Sequence, residues 1–555
     1  MDTTNPKANA VHFPPDRRQR VWVQPRWLLA IGLLIAIPLF AAWGQYLLYG
    51  LPAVPAFTLA QLKTLPDAQG FPAWLRIAHY VNFLFIVLLI RSGLSILVDH
   101  PRLYGNIHCT PDTEWARFTP LAVPKDRLWT AKDDARYLSP WLSLPGFRHT
   151  VGIARQWHFL SVLFWVANGL IYVVLFLLAG RWSRLAPTSW QIVPEAWAVF
   201  VHYATFHLPP EPNGLYHYNA MQQIAYFAVV FIMAPLTILS GIGMSPAMGS
   251  RFKWYPRLFG GRQGARSLHF LLMVGYVIFI VIHVSLVALT GFARNMNHIV
   301  FGTDVGGNAG LVVGTIAIVA VALVCGLANR LSWHRPRTLQ RLGAHTVGVL
   351  KRWTLNPLRP RAEYKKSDIS PFFWPNGKLP TSREWQELAD DDFRQFRLRV
   401  YGLVQNPVEL SLQELREMGK RQQITLHQCI QGWSGIAEWG GLPLTELAAL
   451  VHPQDEAKVV VFHTFGEGLY GGEYYETQSM ADALHPQSIL AYEMNYGPLS
   501  KIYGAPLRLR VENQLGYKMA KWIKSIEFVT SETQVGEGFG GKNEDDEYFD
   551  LVPNI

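Results

Sequence analysis

The sequence predicts an all-α bundle of six transmembrane helices followed by a C-terminal α+β, mainly β, domain. Two observations carry this. Between about residues 27 and 330 the chain holds six apolar runs long enough to cross a bilayer. From about residue 367 the pattern changes to short strand-like runs broken by turns. The chain has 555 residues and a net charge of +10. On a soluble protein that charge would suggest nucleic acid. In a membrane protein excess Lys and Arg gather in cytoplasmic loops, so the expected partner is membrane lipid and no nucleic acid. The three cysteines, Cys109, Cys325 and Cys429, are too few and too scattered for a disulfide framework or a Cys-rich zinc site.

A hydrocarbon core of about 30 Å needs about 20 apolar residues in a helix. The runs at 27–49, 74–98, 156–180, 220–244, 267–292 and 308–329 qualify. The first run is too long for a secretory signal, and no clear small-residue cleavage site follows it. Arg17–Arg18, followed by Gln19, Arg20, Val21 and Trp22, makes a poor twin-arginine signal. Residues 1–26 read as a basic cytoplasmic tail, 27–330 as the membrane domain and 331–366 as a basic linker. Residues 367–535 read as the second domain and 536–555 as an acidic tail.

Orientation follows from the loops. Lys7, Arg17, Arg18, Arg20 and Arg26 precede the first run. Arg102, Arg117, Lys125 and Arg155 lie between the second and third. Arg251, Lys253, Arg257, Arg262 and Arg266 lie near the start of the fifth, and 330–366 is basic throughout. The alternate loops are nearly bare, with Lys63, then Arg181 and Arg184, then Arg294. The positive-inside rule places both termini, and with them the C-terminal domain, on the cytoplasmic side of the cell inner membrane. The alternative is a periplasmic domain.

Ionisable side chains inside a bilayer are costly and invite a functional reading. His79 opens the second run, His158 the third, and His269 and His283 both lie on the fifth. Any one of them alone could be a hydrogen-bonded interfacial histidine. As a set they match in depth. His269 and His283 are 14 residues apart, so about 21 Å along the axis and nearly on one face. Because each span reverses direction, His158 pairs in depth with His269 and His79 with His283. Neutral imidazole is a good iron ligand, and two pairs suit two haems b stacked across the membrane. The other histidines, His202, His207, His217, His100, His108 and His149, read as ordinary loop residues.

The segments His79-Tyr-Val-Asn, Arg91-Ser-Gly93, Arg155-Gln-Trp-His158, Asn168-Gly-Leu-Ile-Tyr172, Gln223-Ile-Ala-Tyr226, Pro235 with Ser240-Gly241, and Arg266-Ser-Leu-His269 through His283 to Gly291-Phe292 resemble the di-haem cytochrome b subunits of bacterial formate dehydrogenases, nickel hydrogenases and thiosulfate reductases. In that family the last core helix carries two haem histidines at the same 14-residue spacing, which the resemblance places at His269 and His283. The first and sixth runs are additions to that family's four-helix core. The family's usual orientation would put the C-terminal domain in the periplasm, against the charge bias.

In the second domain the strand-like runs are Arg397–Tyr401, Ala457–Phe462, Leu507–Val511 and Trp522–Phe528, with a helical pattern at Leu444–Leu450. Cys429 ends one such run and enters a loop rich in Gly, Trp and Ser, Cys429-Ile-Gln-Gly-Trp433-Ser434. An isolated cysteine is by default a buried structural residue. A thiolate at a strand end can instead bind a soft or high-valent metal. Cys109 and Cys325 lie in no such loop.

His427-Gln-Cys429-Ile-Gln-Gly-Trp433, Phe462-His-Thr464, Tyr496-Gly497, Gly504-Ala-Pro-Leu-Arg508 and Gly516-Tyr-Lys518-Met-Ala-Lys521 resemble the molybdopterin-binding domain of the sulfite oxidase family, and within it the catalytic subunits of protein-methionine-sulfoxide reductases. The resemblance implies molybdopterin as cofactor and Cys429 as the thiolate on molybdenum. It implies that Thr464, Arg508, Met519, Ala520 and Lys521 hold the pterin and its phosphate, with Asn376 a further contact. Phosphate wants Arg, Lys and N–H donors. Two departures bear on substrate. Sulfite oxidases carry an arginine soon after the cysteine, where this chain has Ile430, Gln431 and Gly432. The methionine-sulfoxide reductases have an aromatic pair where this chain has Asn513-Gln514-Leu515.

The expected function is electron transfer between the quinone pool and a molybdopterin site through two haems b, with oxygen-atom transfer on a small oxo-substrate such as an S- or N-oxide. The alternative is a transmembrane electron carrier whose soluble domain only docks a redox partner protein. A channel or transporter would leave the four depth-matched histidines unexplained.

Overall fold

A computed structural model describes residues 21–64, 70–118, 123–124, 127–146, 151–210, 214–355 and 363–555. Lys7, Arg17, Arg18 and Arg20 of the basic tail, together with Lys125, His149 and residues 356–362 of the linker, lie outside the described residues.

Six helices are long and apolar enough to cross a membrane: Pro25–Tyr49, Ala73–Asp99, Val151–Leu178, Ala220–Met244, Arg262–Leu289 and Ala309–His334, hereafter spans one to six. In hydrocarbon every backbone N–H and C=O must be satisfied within the segment, which only a helix or a closed barrel achieves. Large apolar side chains such as Phe40, Leu178 and Leu323 point outward. Polar side chains tie spans two and three together within the bundle. Trp165 Nε1 donates to Asn82 Oδ1 at 2.8 Å, and Asn168 Nδ2 to the Ala78 carbonyl at 3.1 Å.

Span four carries a π-turn over Ala228–Met233, where the Ala234 N–H reaches back to the Val229 carbonyl. Pro235 explains it: the ring has no N–H to give and would press on the carbonyl one turn back. Span five starts at Arg262, ahead of the apolar run. In its first turns Gln263, Ala265, Arg266 and Ser267 are buried in protein.

A small antiparallel sheet of β1 (Trp22–Val23), β2 (Arg102–Leu103) and β3 (Ala116–Arg117), in the order β1-β3-β2, fastens the start of span one to the loop after span two. The C-terminal domain has two sheets. One joins β4 (Arg397–Gly402), β5 (Val408–Ser411), β8 (Val459–Glu467), β9 (Glu473–Ser479) and β13 (Ile523–Val529) in the order β5-β4-β13-β8-β9. The other joins β6 (Arg421–Gln428), β7 (Ser434–Pro443), β10 (Ile489–Met494) and β11 (Gly497–Pro498) in the order β11-β10-β7-β6, with β12 (Arg508–Arg510) on β10. Along β4 the buried Leu398 and Val400 alternate with the exposed Arg397 and Arg399, the period of a half-buried strand. Phe396, Phe462, Leu507, Leu509, Ile523 and Ile526 fill the core beneath.

Two segments fold more than their composition suggests. The basic stretch after span six contains helices Pro336–His345 and Val347–Leu355. The acidic end is a buried clasp, because its carboxylates and carbonyls meet cations and amides of both domains. Arg155 pairs with Asp550 at 3.2 Å and Lys518 with Glu544 at 2.6 Å. Gln340 donates to the carbonyls of Glu544 and Phe549.

Candidate active site

The four histidines form the two pairs that their depth suggests. The ring centres of His158 and His269 are 6.3 Å apart, and those of His79 and His283 are 6.4 Å apart. Two imidazoles bound end-on to one metal at about 2 Å each have ring centres about 6 Å apart. The spacing therefore fits one iron between each pair. Neighbouring spans fix the inner rings by the same device twice. His158 Nδ1 meets Ser92 Oγ at 3.1 Å, and His269 Nδ1 meets Ser240 Oγ at 3.1 Å and the Thr237 carbonyl at 3.1 Å. A bond at Nδ1 sets the ring's orientation and leaves Nε2 for the metal. Each serine is followed by a glycine, Gly93 or Gly241, where an added Cβ would sit 3.6 Å from the histidine ring. At the outer pair, the Tyr226 hydroxyl lies 3.5 Å from His283 Nδ1.

Cys429 stands in the turn between β6 and β7. Its N–H donates to the Trp433 carbonyl, and the Gly432 N–H donates back to its own carbonyl. Gly432 has φ +111°, a conformation side chains rarely adopt. An added Cβ there would lie 3.4 Å from Arg266 Nε. The thiol is 3% exposed, and burial pushes its pKa up to about 12, so binding a metal as thiolate means giving up that proton.

Beside it lies a buried group of cations. Arg508 and Lys521 face each other across an isolated bridge. Arg508 Nη1 donates to the Tyr503 carbonyl at 3.0 Å, and Lys521 Nζ donates to the carbonyls of Asn376 and Ile502. Arg510 is paired with Glu512 at 2.8 Å and donates to His427 Nδ1 at 2.9 Å. Burial lowers the pKa of Arg508 to about 9, with the charge of Arg510 adding to it, and that of Lys521 well below the usual lysine range, with the charge of Arg508 adding to it. Among the described residues, Arg508 Nε, Trp433 Nε1 and Trp439 Nε1 are buried without a hydrogen-bond partner. Uncompensated cations and orphaned donors fit an anionic, acceptor-rich group such as a pterin phosphate.

Of the other residues implied by resemblance, Met519 and Ala520 are buried and lead directly into Lys521, with the Ala520 carbonyl accepting from Leu509 N–H. Asn376 turns its side chain onto Gly377 and contributes its carbonyl. Thr464 spends its hydroxyl on the Tyr474 carbonyl and the Gly466 N–H, and reaches the group through its pairing with Ile523. The sequence reading passed over His427 and Arg510, although His427 lies two residues before Cys429. It also passed over Cys109, whose sulfur accepts the Ser434 N–H at 3.4 Å and whose carbonyl accepts Trp374 Nε1 at 2.6 Å. Cys109 is thus built into the wall behind the Cys429 loop.

That loop rests on the membrane domain. Gln263 Nε2 donates to the Gly432 carbonyl at 3.0 Å and Arg262 Nη1 to the Trp433 carbonyl at 3.1 Å. Gln431 Nε2 donates to the Asp99 carbonyl at 3.4 Å. Arg266 ties the loop after span two by donating to the carbonyls of His100 and Arg102 at 2.6 Å. His269 follows Arg266 by three residues, about 4.5 Å of rise along the same helix.

Two family models match this arrangement: prokaryotic cytochrome b561 over residues 70–302, and the oxidoreductase molybdopterin binding domain over residues 385–536. This chain belongs to both families. The Azospira oryzae protein YedZ1, named as a protein-methionine-sulfoxide reductase subunit, is 30% identical over 39% of this chain and 89% of its own length. YuiH of Bacillus subtilis, named an uncharacterized oxidoreductase, is 30% identical over 31% of this chain and 86% of its own. The protein-methionine-sulfoxide reductase catalytic subunit MsrP of Ralstonia nicotianae is 29% identical over 29% of this chain, which spans about half (51%) of that relative. The chain is therefore a multi-pass membrane cytochrome b561 joined to a molybdopterin oxidoreductase domain, with haem b and molybdopterin as its cofactor classes.

Proposed function

We propose that this chain passes electrons from the membrane quinone pool, through two haems b held by His79/His283 and His158/His269, to a molybdenum site on Cys429 that reduces a small S- or N-oxide. One observation carries the reading. The Cys429–Trp433 turn is hydrogen-bonded to the first turn of span five, the same helix that presents His269 and His283. A rigid helix shared by both centres gives electrons a short covalent and hydrogen-bonded route. When bound, molybdenum supplies two-electron oxygen-atom transfer. The balance is X=O + 2H⁺ + 2e⁻ → X + H₂O, with a quinol giving up two electrons and two protons. Of this chain's residues, Cys429 anchors the metal, and Arg508, Lys521 and the Trp439 and Trp433 N–H groups hold the pterin and its phosphate. The Nδ1 bonds of His158 and His269 keep the imidazoles aimed. The reductive direction is supported by the names of the relatives.

Exchange with a lipid-soluble quinone belongs to the proposal at the outer pair, His79 and His283, where Tyr226 lies against His283. The molybdenum domain sits against the basic loops after spans two and four, so the positive-inside rule supports a cytoplasmic domain.

The test is purification of the full chain with metal analysis, an optical spectrum and a quinol-to-dimethyl-sulfoxide assay. Two haems b, one molybdenum and turnover are expected. A colourless protein free of molybdenum would overturn the reading.

A further inference from the structure

Span six ends at His334, and the helix Pro336–His345 begins two residues later. Its Gly343 packs on the head of span three, where an added Cβ would fall on Gln156 Oε1. Gln156 opens the apolar run of span three, so Gly343 lies near the depth where hydrocarbon gives way to headgroups. The helix Val347–Leu355 follows four residues on. It therefore starts in the interfacial layer of the membrane.

This second helix has two unlike faces. Gly348 and Lys351 lie on one and hold the C-terminal clasp. A Cβ at Gly348 would sit 2.9 Å from the Val552 side chain, and Lys351 Nζ donates to the Val552 carbonyl at 2.9 Å. The helix before it grips the same segment, with Arg337 and Gln340 donating to the carbonyls of Glu544, Asp545 and Phe549. Val349, Leu350 and Trp353 lie on the opposite face, since residues one and four apart stay within a third of a turn. Val349 and Leu350 are half exposed and Trp353 is 79% exposed. An apolar stripe of this kind is costly in water and marks a contact surface. Arg335 and Arg352, both exposed, flank it. In the headgroup layer an indole sits at the acyl boundary and a guanidinium reaches the phosphates.

We propose that the helix Val347–Leu355, with Arg335, is an interfacial anchor for anionic phospholipid, and that lipid on its outer face steadies the clasp on its inner face. The occupant is the bilayer's own lipid for two reasons. The stripe follows directly on the lipid-facing surface of span six, where Leu323 and Leu327 are exposed. Its flanking charges are positive and complement phosphate-bearing headgroups. The clasp ties both domains together through Arg155–Asp550 and Lys518–Glu544. The lipid composition of the leaflet thus reaches the joint between the two domains through one short helix.

The test uses the full chain in nanodiscs of phosphatidylcholine, alone or mixed with phosphatidylglycerol. A bimane label on Trp353→Cys, with the unsubstituted chain as labelling control, is expected to be quenched by a doxyl-labelled phospholipid and shielded from aqueous iodide. Quenching by iodide and not by the lipid would overturn the proposal. Quenching by neither, the mark of a second copy or another protein segment over the stripe, would overturn it as well. On the unlabelled chain, amide hydrogen exchange across 536–555 is expected to slow when phosphatidylglycerol is present. Arg335→Gln and Arg352→Gln should each weaken that slowing, by about fivefold per charge removed. Equal exchange of the clasp in the two lipids would sink the link between lipid and clasp.

Discussion

At the scale of a single side chain, the proposed chemistry concentrates on Cys429. A soft thiolate donor is poorly replaced by a hydroxyl. Cys429→Ser is expected to abolish turnover and alter the molybdenum electron paramagnetic signal. The haem spectrum should stay unchanged and the pterin bound, since the proposal gives its phosphate to Arg508 and Lys521. Normal turnover would refute the role. The histidines are testable in the same way. His269→Ala leaves His158 facing no second imidazole, and haem analysis should then show one haem b per chain where the proposal gives the parent two. Cys109 is the instructive contrast. Its sequence surroundings say nothing of the Cys429 loop, yet its sulfur accepts a hydrogen bond from Ser434 beside that loop. Cys109→Ser is therefore expected to disturb the site mildly, where the sequence suggested no effect.

At the scale of elements, the β6–β7 turn and the first turn of span five act as one joint. Gly432 is the hinge residue that joint needs, with φ +111° and Arg266 directly over it. Gly432→Ala should cost about 1–3 kcal/mol of local strain. Stopped-flow reduction should show haems that still reduce normally but pass electrons to molybdenum more slowly. Equal internal transfer rates would mean that the turn is not the route. Much of this was legible beforehand. The six apolar runs, the 14-residue histidine spacing and strands such as Arg397–Gly402 all stand in the periodicity of the chain. The Ser-Gly pairs at 92–93 and 240–241 were visible as motif text. Their role was not, because the hydrogen bond between His158 and Ser92 joins different helices.

At the scale of the molecule, the cytochrome and the molybdenum domain are interlocked by the loop after span two, the head of span five and the clasp at 536–555. A reporter fused after Ile555 that is active only in the periplasm should stay silent if the domain is cytoplasmic. Activity would place it outside. The sequence by itself determined the two fold classes, the depth of the four histidines and the cysteine at a strand end. Each of these is a local record, of which side of one helix or strand is apolar and where a polar residue interrupts it. Only the tertiary structure decided that the Cys429 loop rests on Arg262 and Gln263, that Lys132 meets Glu547, that Thr464 spends its hydroxyl on its own hairpin, and that the acidic end is buried. Those facts depend on pairs hundreds of residues apart, such as Lys132 with Glu547. A charged side chain reads the same in sequence whether it meets water or a partner, and only the packing of distant segments decides which.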